Sequence, residues 1–540
     1  MSGAKGPAAA KAKVPGIRQT MSDLHIWTGL LVGWVLYAMF LTGTVSYFRD
    51  EISQWMRPEA PTVRQVPDAA VVSERIVASL GTLAASSPQW SFQLPDARTP
   101  TVSSFWRKPG PRRAFESATF DPATGQKLAV RETQGGDFFF RFHFDLHYLP
   151  AIWARWIVGF CAMFMLVAIV SGVITHKKIF VDFFTFRWGK GQRSWLDAHT
   201  ALSVIGLPFH FMITYSGLVT LMLLYMPWSG GIALKTPEAR QSMTAQLSAF
   251  PPPPKAAGQA VALVPVGPLV RQAQARWGEG GVGSVNVTNP GDASAQVVVV
   301  RSERTRVATS PQYMLFGGAD GRLIRTVDEV GAAAQTRGVL YGLHIGRFAD
   351  GTLRWLYFIV SLAGTAMVGT GLVLWTVKRR QKLPDPDRPY FGFRLVERLN
   401  IATIAGLSTA MAAMLWANRL LPAGVADRAK WEIHVFFIVW ALTLVYAVAR
   451  PARRAWIELL WLATAAIGLL PVLNALTTDR GLPASLRQGD GVYVALELTL
   501  LALAALHAML AIRTARHRPR VRVPKSRRDV AGEPGEGVAA

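Results

Sequence analysis

The sequence predicts an α-helical membrane protein with eight transmembrane helices and two small α+β domains outside the membrane. The composition is 51% hydrophobic and includes 18 Trp, unlike that of an ordinary soluble protein. A membrane-spanning helix needs roughly 20 consecutive apolar residues. Runs of this kind, uncharged or interrupted by one Glu, lie at 24–48, 156–176, 198–234, 355–377, 399–418, 433–449, 455–478 and 491–512.

Lys and Arg residues predict the orientation of these helices. They cluster at 11–18, 177–193, 378–398, 450–454 and 513–528. Because basic residues concentrate in cytoplasmic loops, eight helices place all five clusters on one side, with both termini in the cytoplasm. These clusters account for most of the net charge of +24. We therefore expect membrane lipid, not nucleic acid, as the partner of the basic tail.

The chain divides into two similar halves and an appended bundle. Each half has a helix, an outer segment of about 100 residues, which is enough for a small domain, and a returning helix. The predicted segments are a cytoplasmic tail 1–23, transmembrane helix 24–48, outer domain 49–142, helix 143–176, cytoplasmic loop 177–196, helix 197–227, outer domain 228–342, helix 343–377, cytoplasmic loop 378–397, a four-helix membrane bundle 398–513 and a basic tail 514–540.

Four histidines form two recurring pairs at the ends of the predicted helices. Asp23-Leu24-His25 and Asp197-Ala198-His199 begin the inside-to-outside helices, while Leu146-His147-Tyr148 and Leu343-His344-Ile345 begin the outside-to-inside helices. Ionisable residues in a membrane are costly and point to function, and imidazole is a common axial ligand of haem iron. We therefore predict two b-type haems, one held by His25 and His199 and the other by His147 and His344.

Other histidines compete for these roles. His143 lies four residues before His147 on the same predicted helical face, so it is an alternative ligand, a haem propionate partner or an interfacial residue. His176, beside Lys177, competes with His25 or His199 for the inner haem, or is a solvated helix end.

Further ionisable groups lie deeper in the apolar runs. His210 is predicted mid-membrane beside Pro208, as a ligand, a relay or a group bonded to a freed carbonyl. His434 and His507 in the appended bundle are predicted to be structural. Three carboxylates mark proton or quinone pathways, or are interfacial or helix-paired groups: Glu432, Glu458 and Glu497.

Two further features of the sequence exclude particular kinds of covalent link or cofactor site. Cys161 is the only cysteine, so an intramolecular disulfide and haem attachment through Cys-x-x-Cys-His are ruled out. The stretch Gly278-Glu-Gly-Gly-Val-Gly283 has the letters of a dinucleotide fingerprint but follows a helix pattern and precedes a strand pattern, which is the wrong context. We expect a loop there and no nicotinamide or flavin site.

Several motifs together resemble the PepSY-associated transmembrane family over about residues 20–385. They are the Phe120-Asp-Pro-Ala-Thr-Gly125 turn, the Leu-His start of both returning helices, Leu343-His-Ile-Gly-Arg-Phe348 and Gly369-Thr-Gly-Leu-Val-Leu-Trp375. That family includes inner-membrane ferric-siderophore reductases with two b-type haems. The resemblance implies PepSY-like outer domains and electron transfer to ferric siderophore.

This resemblance implies a cytoplasmic or quinol electron donor and an anionic iron chelate held between the outer domains, for which Arg107, Arg112 and Arg347 are candidate contacts. Two other functions remain open. One is a non-redox iron or haem permease whose histidines relay substrate. The other is a PepSY-type anchor that regulates periplasmic peptidases.

Overall fold

The computed structural model describes residues 16–62, 65–110, 114–176, 178–187, 189–228, 232, 234–247, 252–386 and 388–517. Most of the predicted N-terminal and C-terminal tails, together with Arg112 and Lys177, lie outside these residues. The described chain is mainly helical, with one β-sheet at one end of a helix bundle. We refer to the two ends of the bundle as the sheet side and the far side.

The helices follow the two halves and the appended bundle. The first half has α1 (Ile17–Ser46), α2 (Arg49–Trp55), α3 (Ala69–Leu83), α4 (Asp137–Asp145), α5 (Ala151–Thr175) and α6 (Ile179–Phe183). The second has α7 (Gln192–Ile205), α8 (Leu207–Thr220), α9 (Met222–Tyr225), α10 (Pro237–Leu247), α11 (Gly267–Trp277), α12 (Ala332–Ile345) and α13 (Gly351–Arg380). The C-terminal bundle has α14 (Phe391–Ile401), a π-helical turn (Ala402–Gly406), α15 (Leu407–Leu420), α16 (Arg428–Ala449), α17 (Ala452–Gly468), α18 (Leu470–Thr477), α19 (Leu482–Gln488) and α20 (Gly491–Arg516).

Seven stretches of helix in the described residues are long and apolar enough to cross a membrane, so the prediction of a multi-pass helical protein is confirmed. The expected third span differs from the single helix predicted over 197–227. It consists of α7 and α8, bent by 69°, and the count reaches eight if this pair forms one span. Gly206 lies at the junction and Pro208 in the first turn of α8. Proline lacks the N–H that would continue the helical hydrogen bonds, which explains the break.

The two outer segments share one sheet, contrary to the prediction of two separate domains. The first contributes β1 (Gln89–Gln93), β2 (Val102–Arg107) and β3 (Phe115–Phe120), and the second contributes β4 (Val282–Thr288), β5 (Gln296–Arg301), β6 (Tyr313–Gly317) and β7 (Leu323–Val327). The order is β3-β2-β1-β4-β5-β6-β7, antiparallel throughout. Ser91 lies opposite Asn286 where the halves meet. This pairing covers the two strand edges that separate domains would leave open.

One face of the sheet packs against a helix from each half. Ile76 of α3 and Val270 of α11 are fully buried together with Phe92, Val285 and Phe316 of the strands. The apolar periodicity of residues 71–80 and 266–275, near the start of each outer segment, predicts a short helix in each, and both helices are present. Residues 278–281 link α11 to β4, which is the helix-to-strand turn expected for the glycine-rich stretch.

Buried polar contacts attach the C-terminal bundle to the first half. Arg428 and Glu432 of α16 form an ion pair whose side chains are both fully buried, and Thr133 of the first outer segment donates a hydrogen bond to Glu432. Arg419 lies 3.7 Å over the ring of Trp55. The ion pair lies within one helix, so it is the Thr133 hydrogen bond and the Arg419–Trp55 contact that join the appended helices to the first half.

Candidate functional site

Two pairs of histidines face each other inside the helix bundle. His25 of α1 and His199 of α7 have ring centroids 6.1 Å apart, and we call them the far pair. His143 of α4 and His344 of α12 also have centroids 6.1 Å apart, and we call them the sheet-side pair. The far pair consists of the two histidines that the sequence analysis had paired from the recurring Asp-x-His pattern.

Each of the four rings is oriented by a backbone carbonyl of a neighbouring helix. The Nδ1 atoms lie 2.8 Å from the carbonyl oxygen of Ala168 for His25, 2.9 Å from that of Met367 for His199, 2.6 Å from that of Met39 for His143 and 3.0 Å from that of Ile213 for His344. A carbonyl only accepts, so each Nδ1 must carry the proton and donate it. The neutral ring then keeps its lone pair on Nε2, the arrangement typical of metal-bound histidine.

A glycine lies four residues after each of these carbonyls, on the same helix. A Cβ atom added there would stand close to the imidazole: 3.1 Å from His25 for Gly172, 3.2 Å from His199 for Gly371, 2.9 Å from His143 for Gly43 and 3.0 Å from His344 for Gly217. Residues i and i+4 lie one above the other on a helix. The carbonyl and the glycine thus form a cradle that admits the ring against the helix backbone.

The internal duplication explains why the four cradles are alike. Helix α1 carries His25, Met39 and Gly43, and the corresponding His199, Ile213 and Gly217 each lie 174 positions further along. Each α1-type helix therefore supplies a histidine near one end and a cradle near the other. His25 and Gly43 are 18 residues apart, roughly 27 Å along a helix, so the two pairs lie at opposite ends of the bundle.

The distance between the rings in each pair suits an ion bound between them. A metal–imidazole nitrogen bond is about 2 Å, so two nitrogens on opposite sides of one ion are about 4 Å apart and the ring centroids a little over 6 Å apart. Both observed centroid distances are 6.1 Å. Together with the Nδ1 hydrogen bonds and the glycine cradles, this spacing fits two imidazoles that would hold one haem iron.

The predicted pairing of His147 with His344 is not the arrangement in the structure, because His143 faces His344. Helix α4 ends at Asp145, and Leu146 follows in the left-handed conformation with φ 50°. This turn directs His147 away, so that its ring packs against Phe138 and Phe437 at 5.7 Å. His143 had been considered only as an alternative.

The number of residues between each histidine and the start of the next helix could have identified His143 as the partner of His344. Helix α5 begins at Ala151, eight residues after His143, and α13 begins at Gly351, seven residues after His344. Pro150 and Asp350 are the N-cap residues of these helices, and both residue types are common at helix starts. Counting back from the caps, instead of matching the Leu-His dipeptides, selects His143.

The other two alternative ligands lie outside both pairs. His176 is the C-cap residue of α5. His210 is 1% exposed, and its Nε2 lies 3.4 Å from the carbonyl oxygen of Val360, while a Cβ on Gly364 would come within 3.0 Å of that nitrogen. The ring therefore occupies a similar cradle between the two pairs along α8. Its nearest aromatic neighbours include Phe40, at 6.4 Å between centroids.

A cavity of about 300 Å³ adjoins the sheet-side pair and is lined by both of its histidines. Arg49, Arg98 and Arg347 line the same cavity. Of the candidate chelate contacts, Arg347 is thus placed at the site. Arg107 lies at the end of β2 and is not part of this lining.

The arginines around the cavity are paired with partly exposed carboxylates. Asp50 lies 3.3 Å from Arg98 and 3.0 Å from Arg304, and Arg347 pairs with Glu303 at 2.6 Å. Burial by itself would raise the pKa of Asp50, but the neighbouring guanidiniums, including those of Arg304 and Arg98, lower it below its usual value. Asp50 therefore stays ionised and fixes these arginines in place.

A family model describing the PepSY-associated TM region matches residues 22–378, about two thirds of the chain. The chain belongs to the PepSY-associated transmembrane family. The matched region of this PepSY-associated protein contains both histidine pairs, all four cradles and the sheet. A comparison with curated proteins found no match. The C-terminal bundle follows the matched region.

The three carboxylates of that bundle have polar partners. Glu432 belongs to the buried contacts with the first half described above. Glu497 accepts a hydrogen bond of 2.6 Å from Asn474. Glu458 forms an ion pair of 2.6 Å with Arg450. The contacts favour the helix-paired interpretation for all three over a proton or quinone pathway.

Proposed function

We propose that this protein is a di-haem b-type reductase of the bacterial inner membrane. It passes electrons across the membrane to ferric iron held by a siderophore on the sheet side. The observation that carries this proposal is the pair of facing histidine sites at opposite ends of one bundle. Each has ring centroids 6.1 Å apart, and every ring has the same carbonyl and glycine cradle.

Each haem, when bound, supplies a one-electron redox centre. The chain's own residues would hold and orient it: the Nδ1–carbonyl hydrogen bonds fix the rings and leave each Nε2 lone pair free to bind the iron. Glycine at the cradle positions lets the imidazoles lie against the helix backbone. His25 and His199 would hold one haem iron and His143 and His344 the other, and each haem would supply electrons one at a time.

The cavity on the sheet side supports an anionic iron chelate as the electron acceptor. Arg49, Arg98 and Arg347 line it, and guanidinium groups bind carboxylate and related oxyanions. Reduction lowers the charge on the substrate iron, and hard oxygen ligands then hold it less firmly. The electron donor is a cytoplasmic reductant or a membrane quinol.

The visible spectrum of the detergent-purified protein tests the proposal. We expect a Soret band, sharp α and β bands after dithionite reduction, and two haems per chain by pyridine haemochrome assay. The reduced protein should be reoxidised by a ferric siderophore, with ferrous iron trapped by a chelating dye. A monodisperse preparation from haem-replete cells without a Soret band rules the proposal out.

A further inference from the structure

A cluster of polar and aromatic side chains lies where the C-terminal bundle meets the first half. It consists of His147, Tyr148, His434 and Phe437, and we call it the seam site. The Tyr148 hydroxyl is hydrogen-bonded to Nδ1 of His434, and the two rings are nearly parallel. The His147 ring stacks on Phe437 at 5.7 Å with 18° between their planes. Both contacts depend on the appended helix α16, which supplies His434 and Phe437.

The seam site is continuous with an apolar stripe on the outer surface of α16. Ile438, Leu442 and Val445 are each more than half exposed and follow His434 at helical spacing, so they share its face. Tyr148 and Trp431 at the site are themselves 58% and 49% exposed. Trp and Tyr favour the membrane–water interface. The seam site is therefore exposed to lipid and lies at one end of the apolar stripe on α16.

The backbone at the seam site is strained. Leu146 and His147 are consecutive non-glycine residues with φ of 50°, in the left-handed region that such residues rarely adopt. Strain of this kind persists where the surrounding structure enforces it, and it clusters at ligand sites. Here it turns His147 and Tyr148 toward α16.

We propose that the seam site binds the headgroup of a membrane quinone or quinol, with the isoprenoid tail along the stripe on α16. A quinone ring is flat and carries two oxygens that form hydrogen bonds, so it suits an aromatic wall beside a tyrosine hydroxyl and an imidazole. The lipid-facing position provides access for a molecule that is confined to the membrane. The two imidazoles and the hydroxyl offer both donors and acceptors.

The seam site is also close to the sheet-side pair. His147 is four residues from His143, and Phe138 contacts both His147, at 5.7 Å, and Phe142, at 5.8 Å. Resting on the proposed function, this places a second entry point for electrons beside the sheet-side pair, in addition to the route across the membrane from the far pair. Oxidation of a quinol breaks two O–H bonds and releases two electrons and two protons. Two ferric chelates would finally take one electron each. The imidazole nitrogens of His147 and His434 would take the two protons, and the quinone would then leave the site.

The experiment measures binding of decyl-ubiquinone to the detergent-purified full-length protein by quenching of tryptophan fluorescence. The variants are Tyr148→Phe and His434→Leu. The control is His507→Leu, which removes an imidazole of the same bundle that is bonded only to its own helix at the Leu503 carbonyl. Losing a hydrogen bond should weaken binding roughly tenfold. Quinol-driven reduction of the haem bands is followed in parallel, with monodisperse elution as the test of folding.

We expect both seam variants to bind the quinone weakly and to be reduced slowly by decyl-ubiquinol, with unchanged haem spectra, while the control behaves as the parent protein. Equal affinity in the parent protein and both variants overturns the proposal. If the protein carries no haem but binds quinone through Tyr148 and His434, the di-haem function fails and the quinone site stands. The two failures are therefore distinguishable.

Discussion

The far pair and the sheet-side pair are built on the same cradle but hold their histidines differently. His25 and His199 lie within α1 and α7, well away from the last turn of either helix. His143 and His344 lie in the last turns of α4 and α12, which end at the left-handed residues Leu146 and Gly346. The comparison teaches that the carbonyl and glycine of the cradle determine where an imidazole ring binds. The position of the histidine within its own helix can vary.

The surroundings of the pairs differ as well. The sheet-side pair opens on the arginine-lined cavity, and in the proposed function this is where electrons would leave for the substrate. Near the far pair, Asn400 of the C-terminal bundle donates a hydrogen bond of 3.0 Å to the Leu372 carbonyl, next to Gly371. The appended helices therefore contact the core close to both pairs, although they follow the family region.

The largest effect expected is loss of one haem when a sheet-side histidine is removed. His143→Ala should lower the haem content from two per chain to one and leave the far haem's spectrum intact, because the pairs lie at opposite ends of the bundle. His147→Ala is the matched control, four residues away, and should retain both haems. Haemochrome assay and redox titration measure the result. Loss of haem in the His147 variant with retention in the His143 variant would restore the Leu-His pairing.

A smaller effect is expected from filling one cradle. Gly43→Ala places a Cβ 2.9 Å from His143 and should displace that ring, while Gly29→Ala on the same helix has open space within 4 Å. Changes to groups that orient a metal ligand typically cost about 10–100-fold in affinity. Haem retention during dialysis against apomyoglobin measures this loss. Equal retention in both variants would show that the glycine does not control the site.

The smallest effect concerns the cavity that distinguishes the two pairs. Arg347→Gln should slow reoxidation of the reduced protein by anionic ferric chelates a fewfold, without changing the haem spectrum, because one positive charge at the cavity is lost. The rate with a neutral chelate should change little, and added salt should narrow the difference. Stopped-flow absorbance gives both rates. An equal slowing for neutral and anionic chelates would indicate a structural effect.

Much of the fold could be predicted from local patterns. Hydropathy indicated the membrane helices, and the helical patterns at 71–80 and 266–275 overlap α3 and α11, the second starting one residue before its helix. The broken third span was missed because hydropathy does not register a bend, even though Pro208 is visible in the sequence. The joining of both outer segments was missed because strand pairing between Trp90 and Val287 links residues almost 200 positions apart, and no local pattern records it.

The sequence by itself determined the family, the membrane class, the duplication and the set of histidines, since each depends on residue types and their spacing. The tertiary structure decided which histidine faces His344, because the spacing to the next helix selects His143 only once the starts of α5 and α13 are known. That choice depends on a left-handed turn at Leu146 and on Gly43 of a different helix, which leaves room for the ring of His143. A cradle is made of a carbonyl and the absence of a side chain. Neither feature can be recognised from composition or periodicity, because its role depends on which helices pack together.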